Sequence, residues 1–198
     1  MPRVAVLVVL ALAVVLSSPA PAAAAPPAYC TGQRITDDFD VLHYPNGQRV
    51  VDGFGKESYP NGVRLTNDYG DEIRYATGTR VRNSSGEVLF PNGTPVKTAS
   101  GEVRYPNGAR TRDSSGRCYF ETGTEMTPCR RDVAIRDRLP GGETAFYQLD
   151  LVTGAIELGA VRYEFPAPGY VITLTADLLT GRLDRSSITA TCTSGTPR

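Results

Sequence analysis

The sequence predicts an all-β protein whose main part is an antiparallel β-meander of short hairpin repeats. Three observations carry that reading. An aromatic-headed turn word returns every 15 residues, a second glycine-closed turn lies between each pair of words, and the joining segments alternate with period two.

The word is Tyr44-Pro45-Asn46-Gly47, repeated as Tyr59-Pro60-Asn61-Gly62 and Tyr105-Pro106-Asn107-Gly108, with Phe90-Pro91-Asn92-Gly93 as a variant. Tyr29-Cys30-Thr31-Gly32, Tyr75-Ala76-Thr77-Gly78 and Phe120-Glu121-Thr122-Gly123 are weaker copies. The seven rings follow one another at intervals of 15, except for 16 between Tyr59 and Tyr75. Pro presets φ for the second position of a type I turn, and a closing Gly accepts the left-handed conformation of the following bulge. The second turn is clearest in Asn83-Ser84-Ser85-Gly86, Thr98-Ala99-Ser100-Gly101 and Asp113-Ser114-Ser115-Gly116. Asp52-Gly53-Phe54-Gly55 and Asn67-Asp68-Tyr69-Gly70 are looser forms.

Between turns lie segments of about four residues. One face collects the rings with Leu42, Ile73, Val88 and Val103, joined by Val50, Leu65, Val81, Val96 and Met126 from the return strands. The other face is basic, from Arg49 and Arg64 through Arg80 and Lys97 to Arg112, with Glu72, Glu87 and Glu102 interspersed. One apolar and one polar side is the mark of an antiparallel sheet. Glu57 falls on the apolar side and breaks the pattern.

The array, residues 29–128, resembles the G-box repeats of centriolar scaffold proteins, the T-complex-protein C-terminal domain. Its Tyr/Phe-Pro-Asn-Gly words and Ser-Gly turns carry the likeness. The resemblance implies a long, open, single-layer sheet rather than a closed barrel. It also implies a face that receives an extended, proline-rich partner segment. The chain departs from that family in its leader, its cysteines and a separate C-terminal region, so a centriolar role is not implied.

Residues 129–192 read as a small antiparallel β unit of four to six strands. Its apolar runs include Ala145–Leu151, Ala155–Leu158, Arg162–Phe165, Val171–Thr175 and Ser187–Cys192. Asp150-Leu151-Val152-Thr153-Gly154 and Asp177-Leu178-Leu179-Thr180-Gly181 share one motif, which suggests a duplication. Residues 193–198 are expected to fray. Residues 1–25 read as a secretory signal peptide: Arg3, an apolar run from Val4 to Leu16, then small residues. That run is shorter than the roughly 20 residues a membrane span needs.

Export to an oxidising compartment makes disulfides the expected state of Cys30, Cys118, Cys129 and Cys192. In an open sheet Cys30 and Cys118 stand about eleven strands, roughly 50 Å, apart. A disulfide spans about 4.4–6.8 Å between Cα atoms. An open array therefore favours Cys118–Cys129 with Cys30–Cys192. The rival pattern, Cys30–Cys118 with Cys129–Cys192, needs a barrel with the rings inside.

Lys plus Arg and Asp plus Glu balance at 21 each, which excludes a polycation bound to nucleic acid by net charge. The sole histidine, His43, reads as an exposed strand residue, and no nucleophile motif accompanies it. Asp37, Asp38 and Asp40 form one acidic group; Asn67, Asp68, Asp71 and Glu72 form another. Turn solvation explains both more simply than Ca²⁺ does. Asn83-Ser84-Ser85 and Asn92-Gly93-Thr94 match the glycosylation pattern inside required turns. No catalytic residue, metal or cofactor is expected.

The functional expectation is a secreted, non-enzymatic binding or structural protein. A single-layer sheet must cover its apolar face with the C-terminal unit, another copy or a ligand. The expected partner-binding residues are therefore Tyr44, Tyr59, Tyr75, Phe90, Tyr105 and Phe120, meeting an extended protein segment. The alternatives are an anionic cell-envelope polymer on the basic face, or an exported enzyme with its chemistry in the C-terminal unit.

Overall fold

A computed structural model of the chain describes residues 28–193. The expected leader, 1–25, and the tail from 194 lie outside the described residues. The chain is all-β, as expected. Residues 28–125 form a ladder of hairpins whose strands pair through single antiparallel bridges, such as His43↔Arg49, Arg74↔Arg80 and Arg104↔Arg110. Beyond it, β1 (Asp132–Arg138), β2 (Thr144–Asp150), β3 (Val161–Ala167), β4 (Tyr170–Asp177) and β5 (Arg182–Cys192) form one open antiparallel sheet in the order β1-β2-β3-β4-β5.

Each word of the repeat closes its own turn and also bonds to the next copy. In the word at Tyr44, the amide of Gly47 donates to the Tyr44 carbonyl (2.8 Å), and the Tyr44 amide donates to that of Gln48 (2.8 Å). Gly47 takes φ +83° and Gly93 +87°, where a Cβ is strained. The Asn side chain works in two directions. Asn46 Oδ1 accepts from the Gln48 amide (3.1 Å), while its Nδ2 donates to the Pro60 carbonyl of the next word (2.9 Å). Asn92 reaches Pro106 in the same way, and Thr77 reaches Pro91.

The ring hydroxyls form a parallel ladder. Tyr44 donates to the Ser58 carbonyl (2.7 Å), Tyr59 to Arg74 (3.0 Å), Tyr75 to Leu89 (2.7 Å) and Tyr105 to Tyr119 (2.8 Å). Each acceptor directly precedes the next ring. Phe90 lacks the donor, so its rung rests on packing and on Asn92 alone. The 16-residue interval is also explained. Asp52 closes its turn on Lys56, but Asn67 closes on Glu72, so the third unit carries one extra turn residue.

Turn glycines should therefore outweigh strand arginines in stability. Gly93→Val is expected to cost about 1–3 kcal/mol through backbone strain. Arg80→Gln, on an exposed side chain paired with Glu72, should stay within about 1 kcal/mol. Chemical denaturation of the two variants compares them, and equal losses would contradict the turn assignment.

The second sheet lies over the aromatic face of the array. Tyr59 packs edge-on against Tyr163 (centroids 5.3 Å) and beside Phe165 (6.1 Å), and Phe90 sits 6.4 Å from Tyr147. Rings and return-strand residues join Leu149, Leu151, Leu174 and Leu178 in one core. Cys30–Cys192 ties the first turn of the array to the end of β5, and Cys118–Cys129 closes the last hairpin, with Cα atoms 6.1 and 5.4 Å apart. This is the pairing that an open array favours.

Two features of the C-terminal unit were not legible in sequence. The strand β1, Asp-Val-Ala-Ile-Arg-Asp-Arg, is a charged edge strand, and its apolar alternation rests on Val133 and Ile135. Ala155–Leu158 is not a full strand. It makes one bridge, Leu149↔Ile156, before a short 3₁₀ turn at Leu158–Ala160. Thr193, expected to fray, donates its amide to Gly169 (3.0 Å).

Candidate functional site

The expected partner-binding row is the interior of the protein. Tyr44, Tyr59, Tyr75 and Phe90 have no exposed surface, and Tyr105 is buried. Burial pushes the hydroxyls of Tyr44, Tyr59 and Tyr75 above their ordinary pKa, so they stay neutral donors. Only Phe120, in the last unit, is partly open, at 44%. The correction has a plain physical cause. A one-layer sheet with an apolar face gains by covering it, and the C-terminal sheet is tethered close enough to do so. The buried rings, Tyr44, Tyr59, Tyr75, Phe90 and Tyr105, share one core with the second layer and offer no free face to a partner.

Other residues lock the layers in register. Glu57, the break in the apolar pattern, accepts from the Leu183 amide at Oε2 (2.6 Å) and from Arg185 Nε and Nη2 at Oε1 (3.0 and 2.7 Å). The β4–β5 pairing is irregular here, Thr173 facing Thr189 and Thr175 facing Asp184. The chain of β5 bulges between these pairs, and Arg185 turns toward the array. Asn61 Nδ2 also donates to Glu143 Oε1 (2.9 Å). The duplicated motif supplies two matching plugs. Asp150 Oδ1 accepts from the amides of Val152 and Thr153, and Asp177 Oδ1 from those of Leu179 and Thr180, which buries Leu151 and Leu178. A Cβ on Gly154 would meet Lys97 and Val103, and one on Gly181 would meet Thr66 and Ile73.

With the aromatic face closed, the exposed large hydrophobics other than Phe120 lie along one edge. Phe39, Phe54 and Tyr69 are 86%, 88% and 91% exposed. All three hold the third position of the second turn family in consecutive units: Asp37-Asp38-Phe39-Asp40, Asp52-Gly53-Phe54-Gly55 and Asn67-Asp68-Tyr69-Gly70. In the first, Asp40 takes the left-handed place of the glycine, at φ 59°. Leu179 and Val152, 62% and 52% exposed, sit on the plug hairpins at the same edge. Each borders a shallow cleft between the layers. One cleft, about 410 Å³, is lined by Ile73, Arg80, Arg82 and Leu178; the other, about 490 Å³, by Val103, Arg110, Arg112 and Leu151. The array residues of the second lie two repeats beyond those of the first.

Carboxylates flank the rings. Asp37 Oδ1 accepts from the amides of Val41 and Phe39, and Asp52 Oδ1 from those of Lys56 and Phe54. The Val41 and Lys56 amides chiefly hold these two carboxyls below their ordinary pKa, so both remain charged. Arg64 pairs with Asp52 and Asp68, and Arg34 with Asp38. Asp40 and Asp71 make no ion pair among the described residues. Two of these rings, Phe54 and Tyr69, read in sequence as part of loose turn copies, whereas the turn at Phe39 reads only as an acidic group.

On the basic face, Arg49, Arg82, Lys97 and Arg112 make no ion pair among the described residues, while two glutamates are shared among four arginines. Glu72 pairs with Arg74 and Arg80, and Glu102 with Arg104 and Arg110. Glu87 instead accepts from Asn83 Nδ2. Among the described residues no group of three or more His, Cys, Asp or Glu is arranged to hold a metal. His43 Nε2 stands 4.0 Å from Asp37 Oδ2. No helix among the described residues is long and apolar enough to cross a membrane. Compared with family models, curated proteins and solved structures, the chain matches none.

Proposed function

We propose that the chain is a secreted, non-enzymatic binding protein whose working surface is the Ser-Gly turn edge. An extended protein segment lies along that edge. Two disulfides fit an oxidising compartment, and the leader-like residues 1–25 fit export to one. Both cysteine pairs are committed to structure, so the side chains offered to a partner are rings, carboxylates and amides. The likeness of the array to G-box repeats supports a binding scaffold. Here the sheet face is taken by the molecule's own second layer, and contact passes to the edge.

One observation carries the reading: Phe39, Phe54 and Tyr69 stand almost fully in solvent at equivalent positions of consecutive turns. Ser85, Ser100 and Ser115 occupy the same position in later units, where Gly86, Gly101 and Gly116 close the turn with the same bond. The turn therefore does not need a ring. Three large rings recurring in solvent at one turn position make that edge the candidate interaction site.

The test is the triple variant F39S/F54S/Y69S. Its melting temperature should match the wild type, because the rings pack on little. Immobilised wild-type protein should retain a component of the culture medium or envelope fraction that the variant loses. Equal retention by both would remove the edge as the working surface.

A further inference from the structure

The two clefts between the layers are equivalent sites. Two repeats along the array, Glu72, Arg80 and Arg82 of the first become Glu102, Arg110 and Arg112 of the second. The shared plug motif supplies the facing wall, Leu178 and Leu179 in one and Leu151 and Val152 in the other. Two separate duplications thus fall into register and build the same site twice. Between them lies a smaller cleft of about 350 Å³, lined by Val88, Lys97 and Thr153.

Arg82, Lys97 and Arg112 hold one position in three consecutive repeats, directly before the second turn. Thr36, Val51 and Thr66 hold it in the first three. None of the three cations makes an ion pair among the described residues. Arg82 Nη1 donates to the Gly86 carbonyl (3.0 Å) and Arg112 Nη2 to Cys129 Sγ (3.4 Å). The carboxylates around them are already engaged. Glu72 and Glu102 each serve two arginines. Asp71 accepts from Asn67 Nδ2 (2.6 Å) and Glu87 from Asn83 Nδ2 (2.6 Å). Asp113 accepts from the Tyr119 hydroxyl (2.8 Å) and two turn amides. The plug aspartates, Asp150 and Asp177, accept from the amides of their own turns. Residues 71–117 carry eight Lys and Arg against five Asp and Glu, in a chain whose charges balance.

This excess is sparse, one unpaired cation per repeat. Two strands per repeat at about 4.8 Å place successive cations about 10 Å apart. A nucleic acid strand carries a charge about every 3.4 Å, far denser than this row. Array strands here pair on both sides, as in Arg74↔Arg80, Arg82↔Val88 and Leu89↔Pro95, so no free strand edge is offered to an extended polypeptide. Asn83 and Ser84 rim the first cleft, and Thr111 and Ser114 the second, beside engaged carboxylates that still accept hydrogen bonds. Widely spaced cations among hydroxyls, amides and acceptors suit a hydroxyl-rich chain of low charge density.

We infer that the trough from Arg82 through Lys97 to Arg112 binds an acidic polysaccharide. Its carboxylates pair with these three side chains, and its hydroxyls meet the polar rims. The site is separate from the Phe39, Phe54 and Tyr69 row.

The test titrates a fluorescent twelve-sugar oligogalacturonate with the full chain at low salt, followed by anisotropy. It should bind at least tenfold more tightly than a galacturonate disaccharide, because one long chain engages several cations at once. Binding should weaken several-fold in R82Q and in R112Q, and at least tenfold in R82Q/R112Q. R112Q should lose more, since Glu87 lies beside the first cleft while Arg117 holds the equivalent place at the second. R82K/R112K keeps the charge and should retain most of the binding, which separates lost charge from lost folding. F39S/F54S/Y69S should bind as the wild type does. No binding of the long chain, unchanged binding in R82Q/R112Q, or equal binding of the methyl-esterified oligomer would overturn the proposal. Tighter binding of polyglutamate or polyphosphate of equal charge would overturn the assignment to a polysaccharide. Loss of binding in the ring variant would move the glycan to the ring row and overturn the trough.

Discussion

Replacing Cys30 and Cys192 together by alanine should cost about 5 kcal/mol, and replacing Cys118 and Cys129 about 3 kcal/mol, by the loop-entropy relation. The difference follows from the chain each bond closes, with sequence separations of 162 and 11. The long bond joins the first turn of the array to the end of β5, so it holds the covering sheet to the N-terminal edge. Its loss should also open the Tyr29 end of the core to proteolysis before the rest. The short bond secures only the last hairpin and the exit toward β1. Denaturant unfolding of the two double variants, under conditions that keep the remaining bond oxidised, measures both. A larger loss for the Cys118/Cys129 variant would mean that the layers are not held by the long bond.

Tyr59→Ala should destabilise by about 3–5 kcal/mol, the range for removing a large buried aromatic. Tyr59 has no exposed surface and packs on both Tyr163 and Phe165, so a cavity would open between the layers. For a domain of this size that loss lowers the melting temperature by roughly 10 °C. Tyr59→Phe keeps the ring and removes one hydroxyl rung to the Arg74 carbonyl, which costs about 1 kcal/mol. Thermal unfolding of the pair separates packing from hydrogen bonding. If Tyr59→Ala melted with the wild type, the aromatic row would not be the interface it is described as. The contrast with F39S/F54S/Y69S is direct, since three exposed rings should matter less to stability than one buried ring.

Local chemistry determined much of this protein. Pro at the second turn position, Asn or Asp at an Asx position and Gly at positive φ act within five residues, so turn identity and hairpin order were legible in the sequence. Period-two alternation then assigned Val50, Leu65, Val81 and Val96 to the inner face, where the structure buries them. Distance excluded a Cys30–Cys118 bond once the array was taken as open, and the structure decided between the pairings that remained.

Tertiary structure decided what covers the rings. The apolar face required a cover, but alternation along one chain says nothing of which surface supplies it. The second layer did so, and the row from Tyr44 to Tyr105 became core. The same docking explains Glu57, whose carboxylate looked misplaced until the β5 bulge brought it the Leu183 amide and Arg185. Phe39, Phe54 and Tyr69 gained their meaning in the same way. A ring in a turn becomes a candidate contact only after the other rings are known to be buried, because exposure belongs to the whole fold and not to the residue.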